Sequence, residues 1–256
     1  MEIRGSRIMV TGASGGLGQA IARELASRGA QLVVTARRES LLSDLAADTG
    51  AEIVVADLTD RDDVLRLEAM QSELDVLVAN AGIGSDPRIT KVTDDDIDFS
   101  IDVNLRAPIK LATHFAQSHM AAGRPGQIVL VGSLSGLAAT PETRMYNATK
   151  FGLRGYALSL RQDLTEHHIG VTHLAPSFIR DAGMFAEGDI DLPKGVRTKS
   201  PADVAAGAVR AIESNPAEVY VSPVELKLSS KFATIAPNLS ARIQKMVGAA
   251  DRAAND

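Results

Sequence analysis

The stretch Ile8-Met9-Val10-Thr11-Gly12-Ala13-Ser14-Gly15-Gly16-Leu17-Gly18 decides how the rest of this chain is read. Ile8-Met9-Val10 is a short apolar run of the kind that forms a buried strand. It passes straight into a glycine-rich turn, and the turn into an amphipathic helical pattern carrying Ile21, Ala22 and Leu25 that ends near Gly29. Strand, glycine turn and helix together are the context in which such a motif has meaning. Glycines allow a tight turn and let backbone N–H groups approach a phosphate, to which the helix N-terminus presents its positive end. An ordinary strand-to-helix turn shares these letters, so the remainder of the chain has to decide between the two.

Outward from this stretch, apolar runs alternate with helical patterns. Gln31–Thr35, Ala51–Ala56, Asp75–Ala79, Gly126–Gly132, Val171–Ala175 and Glu218–Ser222 read as further strands. Helices are expected over Asp60–Ser72, from Thr93 onward, over Arg144–His167 and over Pro201–Ser214. Asp94, Asp95 and Asp96 follow Thr93 and suit the positive end of a helix, so they read as capping rather than as a metal site. Asn104 falls inside a helical region where asparagine is mildly unfavourable, so it is expected there for its hydrogen bonds, and Pro108 is expected to bend that helix. The pattern predicts an α/β fold, a doubly wound parallel sheet of Rossmann type with about seven strands and helices on both faces, as one domain over residues 1–256. Residues 177–200 lack periodicity and read as a substrate lid, with Phe178, Met184, Phe185, Ile190 and Leu192 hinting at an apolar substrate. Residues 224–256 read as a C-terminal helical extension.

Composition narrows the function. The net charge is −5 with no long basic run, which argues against nucleic acid as the main partner. Cysteine is absent, so disulfides, thiolate metal sites and cysteine nucleophiles are excluded. His114 and His119 would diverge on a helix, His167 and His168 point in different directions, and no metal centre is expected. No signal-like or membrane-spanning apolar run is evident, which predicts a soluble, cytoplasmic protein. Leu226–Ala250 carries Lys227, Lys231, Arg242 and Lys245 and no acid, with Leu228, Phe232, Ile235, Leu239, Ile243 and Met246 at helical spacing and Pro237 dividing the segment. It reads as a helix packed on its own domain or on a subunit neighbour, or as a basic amphipathic helix that covers a substrate pocket or touches a membrane surface through 226–250.

Where a dinucleotide fold places an acid for the ribose 2′-hydroxyl, this chain has Ala36 followed by Arg37 and Arg38. The missing acid and the guanidinium favour the 2′-phosphate of NADP over NAD. Asp57-Leu58 and Asn80-Ala81-Gly82 follow strands, as a crevice at the carboxyl edge of a parallel sheet requires, although Asp57 equally suits a helix cap. Ser133 follows the fifth strand, and Tyr146 and Lys150 lie four residues apart, on one face of the next helix. A tyrosine hydroxyl titrates near ~10, a lysine ammonium beside it lowers that value, and a serine hydroxyl donates to a substrate oxygen. Such a trio transfers a proton to or from a carbonyl or alcohol.

Jointly, Thr11-Gly12-x-x-x-Gly16-x-Gly18, Asp57-Leu58, Asn80-Ala81-Gly82, Asn104, Ser133 and Tyr146-x-x-x-Lys150 resemble the short-chain dehydrogenases/reductases from about Arg7 to Ser222. The resemblance implies that Tyr146 is the acid/base and that Ser133 orients the substrate oxygen. It implies that Lys150 lowers the tyrosine pKa and binds the nicotinamide ribose, and that Asn104 holds a water chain to Lys150. Gly12, Ser14, Gly16 and Leu17 match the pyrophosphate turn, Asp57 and Leu58 the adenine site, and Arg37 the NADP-preferring position. Asn80 and Gly82 match the crevice, and Ile179 a backbone partner of the nicotinamide carboxamide. Asp181 stands where relatives carry a threonine. The resemblance implies a small carbonyl or alcohol substrate and a homodimer or homotetramer. An epimerase or dehydratase is disfavoured by the glycine spacing and the lack of a larger C-terminal domain. The alternative is an inactive NADP-binding scaffold or sensor.

Overall fold

The computed structural model describes residues 1–84, 87–182 and 197–246. Its centre is a seven-stranded parallel sheet, β1 (Arg7–Thr11), β2 (Gln31–Ala36), β3 (Glu52–Val55), β4 (Val76–Ala79), β5 (Gly126–Val131), β6 (Ile169–Pro176) and β7 (Glu218–Val221), in the order β3-β2-β1-β4-β5-β6-β7. Chain direction across the sheet reverses between β1 and β4, which opens a crevice at the carboxyl ends of those strands. The helices are α1 (Gly16–Ser27), α2 (Glu39–Thr49), α3 (Arg61–Ala69), α4 (Asp94–Ile101), α5 (Ala107–Ala122), α6 (Arg144–Asp163), α7 (Pro201–Ser214), α8 (Val224–Ile235) and α9 (Pro237–Met246).

The alternation of side chains along each strand supplies two cores, one per face. Ile8 and Val10 of β1 pack with Ile21 and Leu25 of α1, Leu42 of α2 and Ile212 of α7. Met9, between them, packs on the other face with Leu67 of α3, Leu111 and Phe115 of α5 and Leu153 of α6. Strands buried on both faces read as continuous apolar runs, which is why they are conspicuous in the sequence.

Three boundaries differ from expectation by two residues or more. β6 begins at Ile169 rather than Val171, because Gly126 pairs with Ile169 and Gln127 with Gly170. A Cβ on Gly170 would lie 1.9 Å from Gln127 Oε1, so the glycine serves the strand rather than ending it. α3 stops at Ala69 and α6 at Asp163, each followed by a short 3-10 turn, Met70–Glu73 and Thr165–His167. The bend expected at Pro108 is instead a π turn over Asp102–Arg106, with Pro108 in the first turn of α5. Proline lacks an N–H and crowds the carbonyl four residues back, and a widened turn ahead of it relieves both. Thr93 caps α4 with a reciprocal box to Asp96, as the acidic run suggested.

Within 177–200, Ile179 bridges Lys199, Arg180 N–H donates to Lys199 O at 2.9 Å and Lys199 N–H to Phe178 O at 3.0 Å, so the segment's two ends are tied together. Residues 183–196, including Met184, Phe185, Ile190 and Leu192, lie outside the described residues, as do residues 247–256. Pro237 separates α8 from α9, as read from the sequence.

Candidate active site

At the β1–α1 turn, Gly12 has φ +66°, and a Cβ there would stand 2.6 Å from Ala81 Cα. A Cβ on Gly18 would meet Gly12 O at 2.3 Å and Asn80 Nδ2 at 2.9 Å. The turn is thus packed flat against the Asn80–Gly82 segment. Thr11 Oγ1 accepts from Asn80 N–H and Ala81 N–H, each at 3.1 Å, and Asn80 Nδ2 donates to Thr11 O at 3.0 Å. Gly15 is the N-cap of α1 and provides no side-chain cap, and a Cβ on it would meet only Gly12 O at 3.5 Å. Uncapped first-turn N–H groups and open space above them fit a pyrophosphate.

The two arginines diverge. Arg38 lies over the turn, donating from Nη2 to Ser14 O at 3.2 Å and from Nε to Ser14 Oγ at 3.4 Å. Arg37 is 58% exposed, 3.7 Å from Asp57 Oδ2, with its guanidinium 5.8 Å from the centre of the Phe99 ring. Asp57 Oδ1 accepts from Thr59 N–H at 2.9 Å and Thr59 Oγ1 at 2.8 Å. The cap of α3 is Asp60, which accepts from Asp62 and Asp63 N–H, so the helix-cap alternative for Asp57 is set aside. Leu58 packs at the edge of the core beneath.

The other half of the crevice is made of side chains, Asn104 and Lys150 buried and Ser133 and Tyr146 half-buried. Ser133 follows β5 and shares a hydrogen bond with Tyr146. Lys150, one turn further along α6, donates from Nζ to Val131 O at 3.1 Å and lies 5.7 Å from the centre of the Tyr146 ring. A Cβ on Gly82 would stand 3.2 Å from Asn104 Oδ1 and 3.3 Å from Lys150 Nζ, so these three residues meet at one point. Asn104 sits in the π turn, accepts from Ile83 N–H and donates to Ile83 O, both at 2.8 Å. Its hydrogen bonds therefore explain its place in a helix, and they fasten the Asn80–Ile83 segment.

Burial pushes the Lys150 ammonium down to about 8. It raises Tyr146, against a lowering by the Ser133 hydrogen bond. Lys150 is not among the groups that move Tyr146 here, so the expected lowering by Lys150 has no counterpart in this balance. The ammonium donates to the Val131 carbonyl, and for Tyr146 desolvation dominates.

Several residues around the site were not singled out in the sequence. Asn147, next to Tyr146 and buried, donates to Ser135 O at 2.9 Å and Ala138 O at 3.2 Å and accepts from Thr143 Oγ1 and from Thr140 N–H at 3.2 Å. It clamps the loop between Ser133 and α6, a role that no local pattern announces. On β6, His173 is buried with Nδ1 3.6 Å from Glu218 Oε1, and Glu218 also accepts from Arg154 Nε at 2.7 Å and Tyr220 OH at 2.7 Å. Desolvation keeps His173 neutral and these partners hold Glu218 well below the usual carboxylate range. Gly132 lies directly under that imidazole, where a Cβ would fall 2.0 Å from His173 Nε2. Ile179 is buried, and Asp181 adopts φ +68° with its carboxylate 3.3 Å from Arg180 Nε.

Fold and site together define an oxidoreductase of Rossmann type. Among known proteins, the short chain dehydrogenase family matches residues 6–191. Nodulation protein G of Rhizobium sp. (strain N33) is 37% identical over 187 residues, covering 71% of this chain and 76% of the relative. The 3-oxoacyl-[acyl-carrier-protein] reductase FabG of Rickettsia conorii is 35% identical over 182 residues, covering 70% and 75%. A solved short-chain dehydrogenase from Sphingobium yanoikuyae, in complex with NADPH, superposes with a TM-score of 0.75 at 25% identity over 98% of this chain and 96% of that one. The chain belongs to the short-chain dehydrogenase/reductase family and is an NAD(P)-dependent oxidoreductase of that family.

Proposed function

We propose that this enzyme uses NADP(H) to interconvert a carbonyl and an alcohol, with Tyr146 as acid/base, Ser133 and Lys150 beside it and an apolar or mixed substrate. The observation that carries the reading is the hydrogen bond between the half-buried Tyr146 and Ser133 with Lys150 one turn away. Gly12, Ser14, Gly16 and Leu17 would hold the pyrophosphate, Asp57 and Leu58 the adenine, and Arg37 the 2′-phosphate. Asn80, Gly82 and Ile179 would line the nicotinamide side, with Lys150 on its ribose. The bound cofactor supplies or accepts the hydride. In reduction, Tyr146 gives its hydroxyl proton to the substrate oxygen while the Ser133 hydroxyl donates a hydrogen bond to the same atom. Lys150, with its pKa near 8, is a proton source for the tyrosine at neutral pH. Asn104 keeps the Asn80–Ile83 segment against Lys150. Oxidation runs the same steps backwards. Two relatives support the reading. The Rickettsia protein is named as a reductase of a 3-oxoacyl group, and the Sphingobium structure holds NADPH.

The test is consumption of NADPH and of NADH against ketones graded from small and polar to long-chain and steroid-sized. Turnover with NADPH preferred and rising with apolar size is the expected result. NADPH binding without turnover in either direction would replace this reading with a cofactor-binding scaffold.

A further inference from the structure

α8 is mounted the wrong way round for a helix that merely completes a core. Its buried positions are the small Ser230 and Ala233, and Thr234 Oγ1 donates to Leu137 O at 3.0 Å, tying the helix to the segment after Ser133. Apart from the half-buried Leu226, its bulky apolar residues point outward. Val224 is 66% exposed, Leu228 61% and Ile235 85%, with Phe232 between them and Leu239 of α9 also exposed. Positions 224, 228, 232 and 235 fall on one face of a helix. An ordinary surface helix does the reverse and turns its apolar stripe to the core.

Charge follows the same face. Lys227 and Lys231 flank the stripe, their ammonium groups 4.8 and 5.2 Å from the centre of the Tyr220 ring. Arg242 is exposed on α9, and from Leu226 to Ala250 the chain has four basic residues, Lys227, Lys231, Arg242 and Lys245, and no acid, although the whole chain carries −5. Glu225, just before this stretch, is engaged by Arg197 at 2.8 and 2.9 Å.

We infer that the outer face of α8 and α9 docks the protein reversibly on an anionic lipid surface, with the helices lying in the interfacial plane. Protruding apolar side chains flanked by cations match a hydrocarbon boundary under negative headgroups. A second copy matches less well, because a two-fold interface sets a patch against itself, and the one acid of α8, Glu225, is already engaged by Arg197. The contact is peripheral: among the described residues no helix is long and apolar enough to cross a membrane. Docking would bring the segment after Ser133 close to the lipid through the Thr234–Leu137 hydrogen bond. The inference stands apart from the proposed chemistry and is tested without it.

The test is flotation of the full chain with phosphatidylglycerol-containing vesicles and with pure phosphatidylcholine vesicles, at low and high salt. The expected result is binding to the anionic vesicles only, weakened by salt. Leu228→Ser/Phe232→Ser/Ile235→Ser should reduce it at least about tenfold, and Lys227→Gln and Lys231→Gln roughly fivefold each. Circular dichroism checks that the variants fold, and Ile235→Ser alone carries the test if the triple variant does not. Absence of flotation by the unaltered chain, or equal flotation by the apolar variants, overturns the inference. So does a solution mass that halves in the apolar variant with no vesicle binding, which would make the face a copy-to-copy interface.

Discussion

The two ends of the crevice are built from different materials. The β1–α1 end is backbone: glycines that exclude any Cβ, an uncapped helix start, and Thr11 and Asn80 holding main chain to main chain. The β5–α6 end is side chain: Ser133, Tyr146, Lys150 and Asn104, mostly buried and coupled to one another. A backbone site is insensitive to pH and intolerant of added volume. A side-chain site tolerates small volume changes and is governed by desolvation. The first should therefore fail in binding, the second in chemistry.

Tyr146→Phe tests that division most severely. Turnover should fall about a thousandfold, the scale of general acid–base catalysis, while NADPH affinity in a fluorescence titration stays within about twofold. Comparable losses in both would erase the distinction between the ends.

Lys150→Met comes next and is read in stability. The folded ammonium titrates near 8 against 10.5 for the free side chain, so between those values the unfolded chain binds more protons and stability rises with pH. Below pH 8 the buried charge costs about 3 kcal/mol. The variant recovers that, less about 1 kcal/mol for the unpaired Val131 carbonyl. Cofactor-free Lys150→Met should thus be more stable than the parent by about 2 kcal/mol at pH 7, the gain shrinking above pH 8 and reversing to a deficit of about 1 kcal/mol by 10.5, in denaturant melts at each pH. An equal pH slope in both proteins would show that Lys150 is not the group responsible.

Gly18→Ala strikes the backbone end. With Gly12 O 2.3 Å from the added carbon, the turn must shift, lowering Tm by about 5 °C and NADPH affinity by about thirtyfold. Unchanged affinity beside a lowered Tm would reduce the turn to scaffolding. Smallest is Arg37→Ala, expected to weaken NADPH about tenfold and NADH less than about twofold, since only one carries the 2′-phosphate. If Arg38→Ala produces that pattern instead, the arginine lying over Ser14 is the one that discriminates.

The same contrast explains what was legible in the sequence. The sheet could be read because its central strands are buried on both faces, and the turn because glycines mark it locally. Ser133, Tyr146 and Lys150 could be picked out by spacing and lie together in the fold, but the balance of charge among them, which depends on Val131 and on burial, could not be read. Asn104 was suspicious as a helical asparagine, yet its partner, Ile83 across the crevice, is distant in the chain and could not be read. Asp57 and Asp60 sit in one acidic stretch, and only the hydrogen bonds to Asp62 and Asp63 tell cap from crevice. Asn147, His173 and the split between Arg37 and Arg38 had no local signature, because each is defined by residues distant in the chain or by side-chain direction. Thr11 was signalled by its place beside Gly12, and its acceptor role was missed.

The contact between Gly132 and His173 has a historical consequence. With an imidazole nitrogen 2.0 Å from where a side chain would begin, position 132 is closed to every residue but glycine for as long as histidine stands at 173. Change there has a direction: a descendant must first shrink position 173 and only then enlarge position 132, and the opposite order passes through a protein whose fifth and sixth strands no longer fit. Position 173 is open to shrinking on its own, whereas position 132 can enlarge only after it.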